Sequence, residues 1–532
     1  MNLSSNKRCT FAIISHPDAG KTTMTEKLLW FGQVVRQAGM VKSKKGNYAK
    51  SDWMELEKKR GISVTSSVMT FDYQQRLLHL LDTPGHKDFS EDTYRTLTAV
   101  ESVLMMIDSA KGVEPQTLKL MEVCRMRDTP IVTFMNKFDR EALNPFDLLT
   151  DIEKTCSIQC CPMTWPIGSG SEFKGVLDLR SRKIVNFKES NDPFAPNVID
   201  ASNLDSPEIA AFVGEEHIEQ LKEDVEMIDE MMPEFDEQEF LAGIQTPVFF
   251  GSALYNFGVK EVLETIAERC PEPLKKEVKL YPFEKDSDTR MVEPNEKNFS
   301  AFVFKIQANM DKNHRDRVAF LRVCSGEFNR GDKVYHVRSG KDVKISAPMM
   351  FQSRDRDVTE RAYPGDIIGV NGSYQIGDTF SKGEKIQFTG IPSFAPEIFM
   401  KVLLKDPLKG KHLEKGLVQL SEEGAVQLFT RPQGNLNILG AVGMLQFDVV
   451  KYRLEDEYKV RGDYETLSFK GVRWVKLPKS ISEKDFLNQY PMNGLVDRNG
   501  QICFAYKTDW DLKMLKDKVP EVELFMNSEY RK

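Results

Sequence analysis

The chain has 532 residues, 40% of them apolar and 29% charged, with a formal net charge of −7. That length is too great for a single hydrophobic core, so about three domains are expected, and the composition excludes disordered and fibrous classes. No apolar run approaches the ~20 residues that cross a bilayer, and Met1 to Arg8 are polar, so neither a membrane span nor a secretory leader is expected and the protein is predicted to be cytoplasmic. Between Asp205 and Glu239 fourteen acids face one lysine, Lys222, a local charge of −13 that leaves +6 for the rest. Such a mildly basic body is compatible with docking on RNA. Eight cysteines without regular spacing fit a reducing compartment better than a disulfide framework, and the cluster Cys156, Cys160 and Cys161 lacks the paired Cys or His of a metal site.

In chain order, Thr10 to Ser15 is an apolar, β-branched run, Pro17 to Gly20 interrupt it, and Met24, Leu28, Leu29 and Trp30 return at helical spacing. A strand, a tight loop and a helix start make a phosphate cradle. The loop comprises Ser15, His16, Pro17, Asp18, Ala19 and Gly20, and Gly20 lets the main chain come close. Lys21 brings charge to the β- and γ-phosphates, Thr22 offers a hydroxyl to Mg²⁺, and Thr23 follows. The general pattern has glycine where Ser15 stands, and read alone the stretch is also compatible with a plain strand-to-helix turn.

After the polar stretch Lys42 to Lys59, Arg60-Gly-Ile-Ser63 reads as a loop whose Ser63 hydroxyl can close on Mg²⁺. Leu77 to Asp82 is the next strand, and Asp82-Thr83-Pro84-Gly85-His86 follows at its carboxyl end, where open α/β sheets hold ligands. Asp82 can orient a Mg²⁺ water, and Gly85 can offer its N–H to the γ-phosphate, so this loop reports whether that phosphate is present. Val103 to Asp108 is another strand, and Val113, Thr117, Leu120, Met121 and Cys124 form the buried stripe of a helix. Ile131 to Asn136 leads into Asn136-Lys137-Phe-Asp139. A carboxylate at Asp139 accepts from guanine N1–H and the 2-amino group, donors adenine lacks, so GTP is preferred over ATP while Asn136 and Lys137 brace the loop and cover the base. Val248 to Gly251 ends at Ser252-Ala253-Leu254, which can add a backbone N–H near guanine O6.

A polar insert spans residues 158 to 245, and Ile218, Leu221, Val225 and Ile228 give it an amphipathic helix whose acidic face is either only solvated or a partner surface. From Phe299 to Gly390 the period falls to two, as in Phe302, Phe304 and Ile306, with turns at Ser325-Gly326, Gly331-Asp332, Pro364-Gly365 and Gly377-Asp378, which suggests a small β-barrel. Residues 394 to 532 mix helical and strand patterns. The predicted architecture is an α/β P-loop GTPase domain at 1–275 with the insert, a β-barrel at 299–390 and an α+β domain at 394–532. Lys401 to Lys415, with five lysines and two acids, reads either as a phosphate contact or as a solvated face.

His16-Pro-Asp-Ala-Gly-Lys-Thr, Asp82-Thr-Pro-Gly-His, Asn136-Lys-Phe-Asp and Ser252-Ala-Leu resemble the nucleotide motifs of translational GTPases, and Arg317 to Gly326 and Pro364 to Gly369 resemble their second-domain barrel. Ser51-Asp-Trp-Met, Asp88 to Arg95, Phe304 to Asp311 and Leu417 to Ala425 are similar to the class II release factors among them; the last seventy or so residues match least. The resemblance implies a GTP/GDP- and Mg²⁺-dependent, ribosome-stimulated GTPase that promotes dissociation of class I peptide chain release factors after termination. It implies that His86 positions the attacking water once ribosomal RNA contacts it, and that Ser63 stands where most relatives have threonine on Mg²⁺; Thr65 is the alternative. Expected partners are the ribosome with its RNA, class I factors and a ribosomal protein at the acidic insert; a monomer and no membrane are expected. The rivals are an elongation factor G-like translocase or ribosome-protection GTPase, for whose two further domains this sequence is short, and a GTP-dependent assembly or scaffolding module with little turnover.

Overall fold

The computed structural model describes residues 7–33, 63–186, 197–281, 288–308, 317–352, 355–391, 395–434 and 436–526. Lys42 to Lys59, Ser51-Asp-Trp-Met, Arg60 to Ile62, Met1 to Asn6 and the last residues of the Phe304 to Asp311 run lie outside the described residues. The chain divides into two units, one of Met1–His86, Ala99–Leu274 and Met349–Ile367, the other of Lys87–Thr98, Lys275–Pro348 and Ile368–Lys532.

In the first unit β1 (Lys7–Ser15), α1 (Lys21–Phe31), β2 (Ser67–Tyr73) and β3 (Arg76–Asp82) come first; α2 (Ser90–Leu97), next in the chain, belongs to the second unit. There follow β4 (Ser102–Asp108), α3 (Pro115–Arg125), β5 (Ile131–Asn136), α4 (Pro145–Cys156), β6 (Gln159–Pro162), β7 (Thr164–Ile167), β8 (Gly175–Asp178), β9 (Lys183–Asn186) and β10 (Asn197–Asp200). Then α5 (Pro207–Val213), α6 (Glu215–Met231), α7 (Glu237–Leu241), β11 (Gln245–Phe250) and α8 (Val259–Arg269) complete it. The main sheet has the order β2-β3-β1-β4-β5-β11-β6, parallel throughout except for β2. β4 and β5 are buried along their whole length, which is why their sequences are continuous apolar runs rather than alternating ones. In α3 the buried residues are Thr117, Leu120, Met121 and Cys124, the predicted stripe, with Val113 lying just before the helix.

The insert contains a sheet that sequence periodicity did not suggest, β10-β9-β8-β7, all antiparallel. α6 buries Ile218, Leu221, Val225 and Ile228 and leaves Glu216, Glu219, Glu223, Glu226 and Asp229 exposed. Trp165 on β7 donates its indole N–H to Asp224 Oδ2 at 2.9 Å, tying helix to sheet. A second departure is a disulfide, Cys9–Cys270, with Cα atoms 6.0 Å apart; the fold brings together two residues 261 positions apart, a pairing that local spacing cannot reveal. The other six cysteines are free and buried, and among the described residues no three or more His, Cys, Asp and Glu side chains gather as a metal-binding group.

The segment Met349–Ile367, expected within the barrel, belongs to this first unit. Its Asp366 is buried and accepts from Arg8 Nε at 2.6 Å and the Tyr363 N–H at 2.8 Å, with His79 Nε2 at 3.2 Å. Burial alone would raise the carboxyl, but His79 and Arg8 hold it below its ordinary value.

In the second unit, strands Lys341–Lys344, Lys333–His336, Thr379–Ser381, Ser300–Ala308 and Arg317–Ser325 are successive neighbours in one sheet. Ser300–Ala308 is buried on both faces rather than one, and Lys305 on its expected polar face pairs with Asp92 of α2 at 3.6 Å. Further on, α9 (Gly410–Glu422) and α10 (Met444–Glu457) pack Leu413, Leu417, Leu420, Phe447, Val450 and Leu454 with Met400 and Leu439 of an eight-stranded sheet. Buried Arg453 of α10 is held between Glu423 and Glu457. Among the described residues no helix is long and apolar enough to cross a membrane.

Candidate guanine-nucleotide site

β1, β3, β5 and β11 are parallel, so their carboxyl ends, Ser15, Asp82, Asn136 and Phe250, lie at one edge of the sheet. The loops that leave this edge are bonded to one another. Gly20 adopts φ +95° ahead of α1, and a Cβ there would lie 2.2 Å from Asn136 Nδ2. Only glycine fits that approach. The Asn136 side chain, buried, donates from Nδ2 to the Ala19 carbonyl at 2.7 Å and accepts at Oδ1 from the N–H of Ala253 at 2.9 Å and of Lys137 at 2.9 Å. Asp139 Oδ1 accepts from the Ser252 hydroxyl at 2.5 Å.

Lys21 Nζ donates to Asp82 Oδ1 at 3.0 Å, joining the phosphate loop to the end of β3. Thr83 donates its hydroxyl to the Ile13 carbonyl at 2.6 Å, and a Cβ on Gly85 would lie 3.4 Å from the His16 carbonyl oxygen, so the turn after β3 runs against the phosphate loop. Ser15 donates its hydroxyl to the His16 carbonyl at 2.8 Å. The His16 ring is buried, with Nδ1 2.6 Å from the Pro17 carbonyl oxygen and also against Glu114. Burial lowers its pKa against the opposing pull of Glu114 and the Pro17 carbonyl. Pro17 and Asp18 are exposed, Asp18 at φ +67°, while Thr22 and Thr23 are half-buried in the first turn of α1. Pro84 is buried and His86 half-buried after β3, Ser63 is half-buried ahead of β2, and Leu254 is exposed.

Two residues that sequence patterns left unassigned belong to this edge. Asp108, at the end of β4, accepts from Lys137 Nζ at 2.6 Å, and burial, which would raise its carboxyl, is outweighed by Lys137 and the Ala110 N–H, which hold it below its ordinary value. Lys137 itself sits at φ +78°, a left-handed backbone that its two bonds hold in place. Glu114 is the other, facing His16. A strand-end acid after an apolar run was the available signal for Asp108.

A bonded cradle of main chain, lysine and carboxylate at a strand edge is the arrangement that binds a nucleoside polyphosphate. The donor set also suits a hard cation. Among the described residues Asp82 Oδ2 is buried without a hydrogen-bond partner, beside a helix start whose Thr22 brings a hydroxyl.

Residues 6–272 match the family model of the elongation factor Tu GTP binding domain. The match covers half of the chain, and the chain belongs to this family of translational GTPases, which bind guanine nucleotide and hydrolyse GTP. Residues 298–383 match elongation factor G domain 2, and residues 388–516 match the C-terminal domain of class II release factor RF3. Together the three matches set the chain among the class II release factors within that family. Its fold is similar to that of a solved protein from Thermus thermophilus, with TM-score 0.68 and 22% identity over 89% of this chain and 71% of that chain.

Proposed function

We propose that this GTPase promotes dissociation and recycling of class I peptide chain release factors after termination, with hydrolysis stimulated by the ribosome. The observation that carries the proposal is the combination, in one chain, of a bonded guanine-nucleotide edge with residues 388–516 of the class II release factor type. Ser15 to Thr23, Asp82 to Gly85, Asn136, Lys137, Asp139, Ser252, Ala253 and Leu254 bind the nucleotide. Asp139 selects guanine by accepting its two Watson–Crick-edge donors. Thr22, Ser63 and Asp82 would hold Mg²⁺, which neutralises charge on the phosphates when bound. His86 positions the attacking water in line with the γ-phosphorus, and phosphoryl transfer depends chiefly on that placement and on charge stabilisation. Loss of the γ-phosphate removes the partner of the Gly85 N–H, and the turn relaxes.

The nucleotide domain spans about residues 1–275 with an insert at 158–245, followed by the barrel at 299–390 and the α+β domain at 394–532. The protein acts in the cytoplasm as a monomer, on ribosomal RNA, with the exposed acids of α6 as a surface for a ribosomal protein. Lys401 and Lys405 are paired with Glu465 at 2.7 Å and Asp463 at 2.9 Å, so the exposed Lys411 and Lys415 are the better candidates for ribosomal phosphate. The test follows a labelled class I factor on post-release ribosomes with GTP and then GDP. A shorter residence time with the protein and GTP is expected; no change under either condition overturns the proposal.

A further inference from the structure

The carboxyl ends of β4 and β5 lie side by side at the nucleotide edge, and their parallel register pairs Asp108 with Asn136, the residue that opens the base loop. Just past the strand ends the Ser109 N–H donates to the Asn136 carbonyl at 3.0 Å, which carries that register into the loops. Asp108 is buried and accepts from two donors, the Ala110 N–H at Oδ1, 3.0 Å away, and Lys137 Nζ at Oδ2, 2.6 Å away. Burial would raise its carboxyl, but Lys137 and the Ala110 N–H hold it below its ordinary value, so it is charged at neutral pH.

The main chain of Lys137 is set by its neighbours. Asn136 is bonded to Ala19 and Ala253, and Phe138 is buried and donates its N–H to the Gly251 carbonyl at 3.1 Å. Between them Lys137 takes a left-handed φ of +78°, which a residue with a Cβ disfavours. Those bonds do not restrain the four-carbon stem of Lys137, and a free lysine side chain has many rotamers to lose on ordering. Its ammonium is restrained by Asp108, in an ion pair whose side chains are 20% and 6% exposed. A charge-assisted hydrogen bond so far withdrawn from water is stronger than an ion pair at the surface.

We infer that Asp108 is a positioning residue for guanine-nucleotide binding: it pins the Lys137 ammonium and so holds that side chain ready to cover the base before nucleotide arrives. The inference rests on the proposed reading in which Lys137 covers guanine and Asp139 selects it. Asp108 acts through Lys137 and not on the ligand itself. Because GTP and GDP share the base, the effect falls equally on both and leaves the chemical step alone, which is the signature of uniform binding.

The test is calorimetric titration of the full chain with GDP and with a non-hydrolysable GTP analogue, for the wild type, Asp108→Asn, Lys137→Met and the double variant. Asp108→Asn keeps the shape and an acceptor for the Ala110 N–H but removes the charge. It is expected to weaken both ligands by the same factor, about tenfold, the size of one hydrogen bond to a charged group, and to raise KM for GTP while kcat stays within about twofold. Lys137→Met keeps an apolar stem without the ammonium, and in that background the same exchange at Asp108 is expected to weaken binding by less than about twofold. A second measurement needs no nucleotide: acetylation of Lys137 by acetic anhydride, read by mass spectrometry, should run about fivefold faster in Asp108→Asn than in the wild type, because the ion pair occupies the amine. Unchanged affinity in Asp108→Asn, a loss confined to one nucleotide, an equal loss with and without the Lys137 ammonium, or an unaltered rate of acetylation overturns the inference and leaves the nucleotide reading standing. A wild-type chain that binds neither nucleotide overturns both.

Discussion

Asn136 donates its side-chain amide to the carbonyl oxygen of Ala19, 2.7 Å away, and so fastens the loop after β5 to the phosphate loop after β1. The same side chain receives the Ala253 N–H, making one residue the junction of three loops. Asn136→Ala leaves a buried carbonyl and a buried N–H without their partner, at a cost of about 1–3 kcal/mol each before relaxation. GDP affinity should fall about tenfold or more in a fluorescence titration, and the thermal midpoint should drop. Affinity equal to wild type would show that the junction is incidental.

His86→Ala removes the imidazole from the turn and leaves the side chains of Lys21, Asp82, Asn136 and Asp139 in the chain. Ribosome-stimulated hydrolysis should be lost while GTP and GDP affinities stay within about twofold, because positioning of water acts on the transition state rather than on ground-state binding. Undiminished turnover under ribosome excess rejects the role.

Asp139 Oδ1 accepts from the Ser252 hydroxyl at 2.5 Å, and the proposed function has its carboxylate accept from guanine. Asp139→Asn exchanges an acceptor for an amide that can also donate. GTP should bind about a hundredfold less tightly, and xanthosine triphosphate, which carries a carbonyl where guanine has its amino group, should bind better than it does to the wild type. Competition binding of the two nucleotides checks both directions; an unchanged preference for GTP places the base elsewhere.

On α8, one oxygen of the Glu261 carboxyl is buried without a hydrogen-bond partner among the described residues. Burial, with smaller contributions from Glu264 and Asp178, pushes it from an ordinary 4.5 up to about 7. The folded state therefore holds the proton more tightly than the unfolded one. This favours folding fully below the unfolded value, and the contribution is lost as pH rises through about 7. Glu261→Gln should raise the unfolding midpoint relative to wild type at pH 8, with little gain at pH 4. A gain independent of pH would show that ionisation of Glu261 is not the cause.

The parallel sheet was legible because strands buried on both faces leave a mark that survives without context, and Ile131 to Asn136 coincides end for end with β5. The nucleotide loops were legible for a related reason: their residue types answer to the chemistry of phosphate and guanine. The insert sheet was not, because strands of four residues such as β7 and β9 are too short to show a period. Partners distant in sequence were hidden as well. Nothing local to Lys305 says that Asp92 will cover it, nor does anything near Gly443 announce Asp88, and Cys9 gives no hint of Cys270. Such contacts exist only once the chain has folded, so they are where the structure adds most.

GTP hydrolysis by the full chain, followed with and without post-release ribosomes and with ATP as the control, tests the central claim most directly. The account predicts turnover of GTP stimulated by the ribosome on the order of 10³-fold or more, and no turnover of ATP. Equal rates with and without ribosomes, or hydrolysis of ATP alongside GTP, would contradict it.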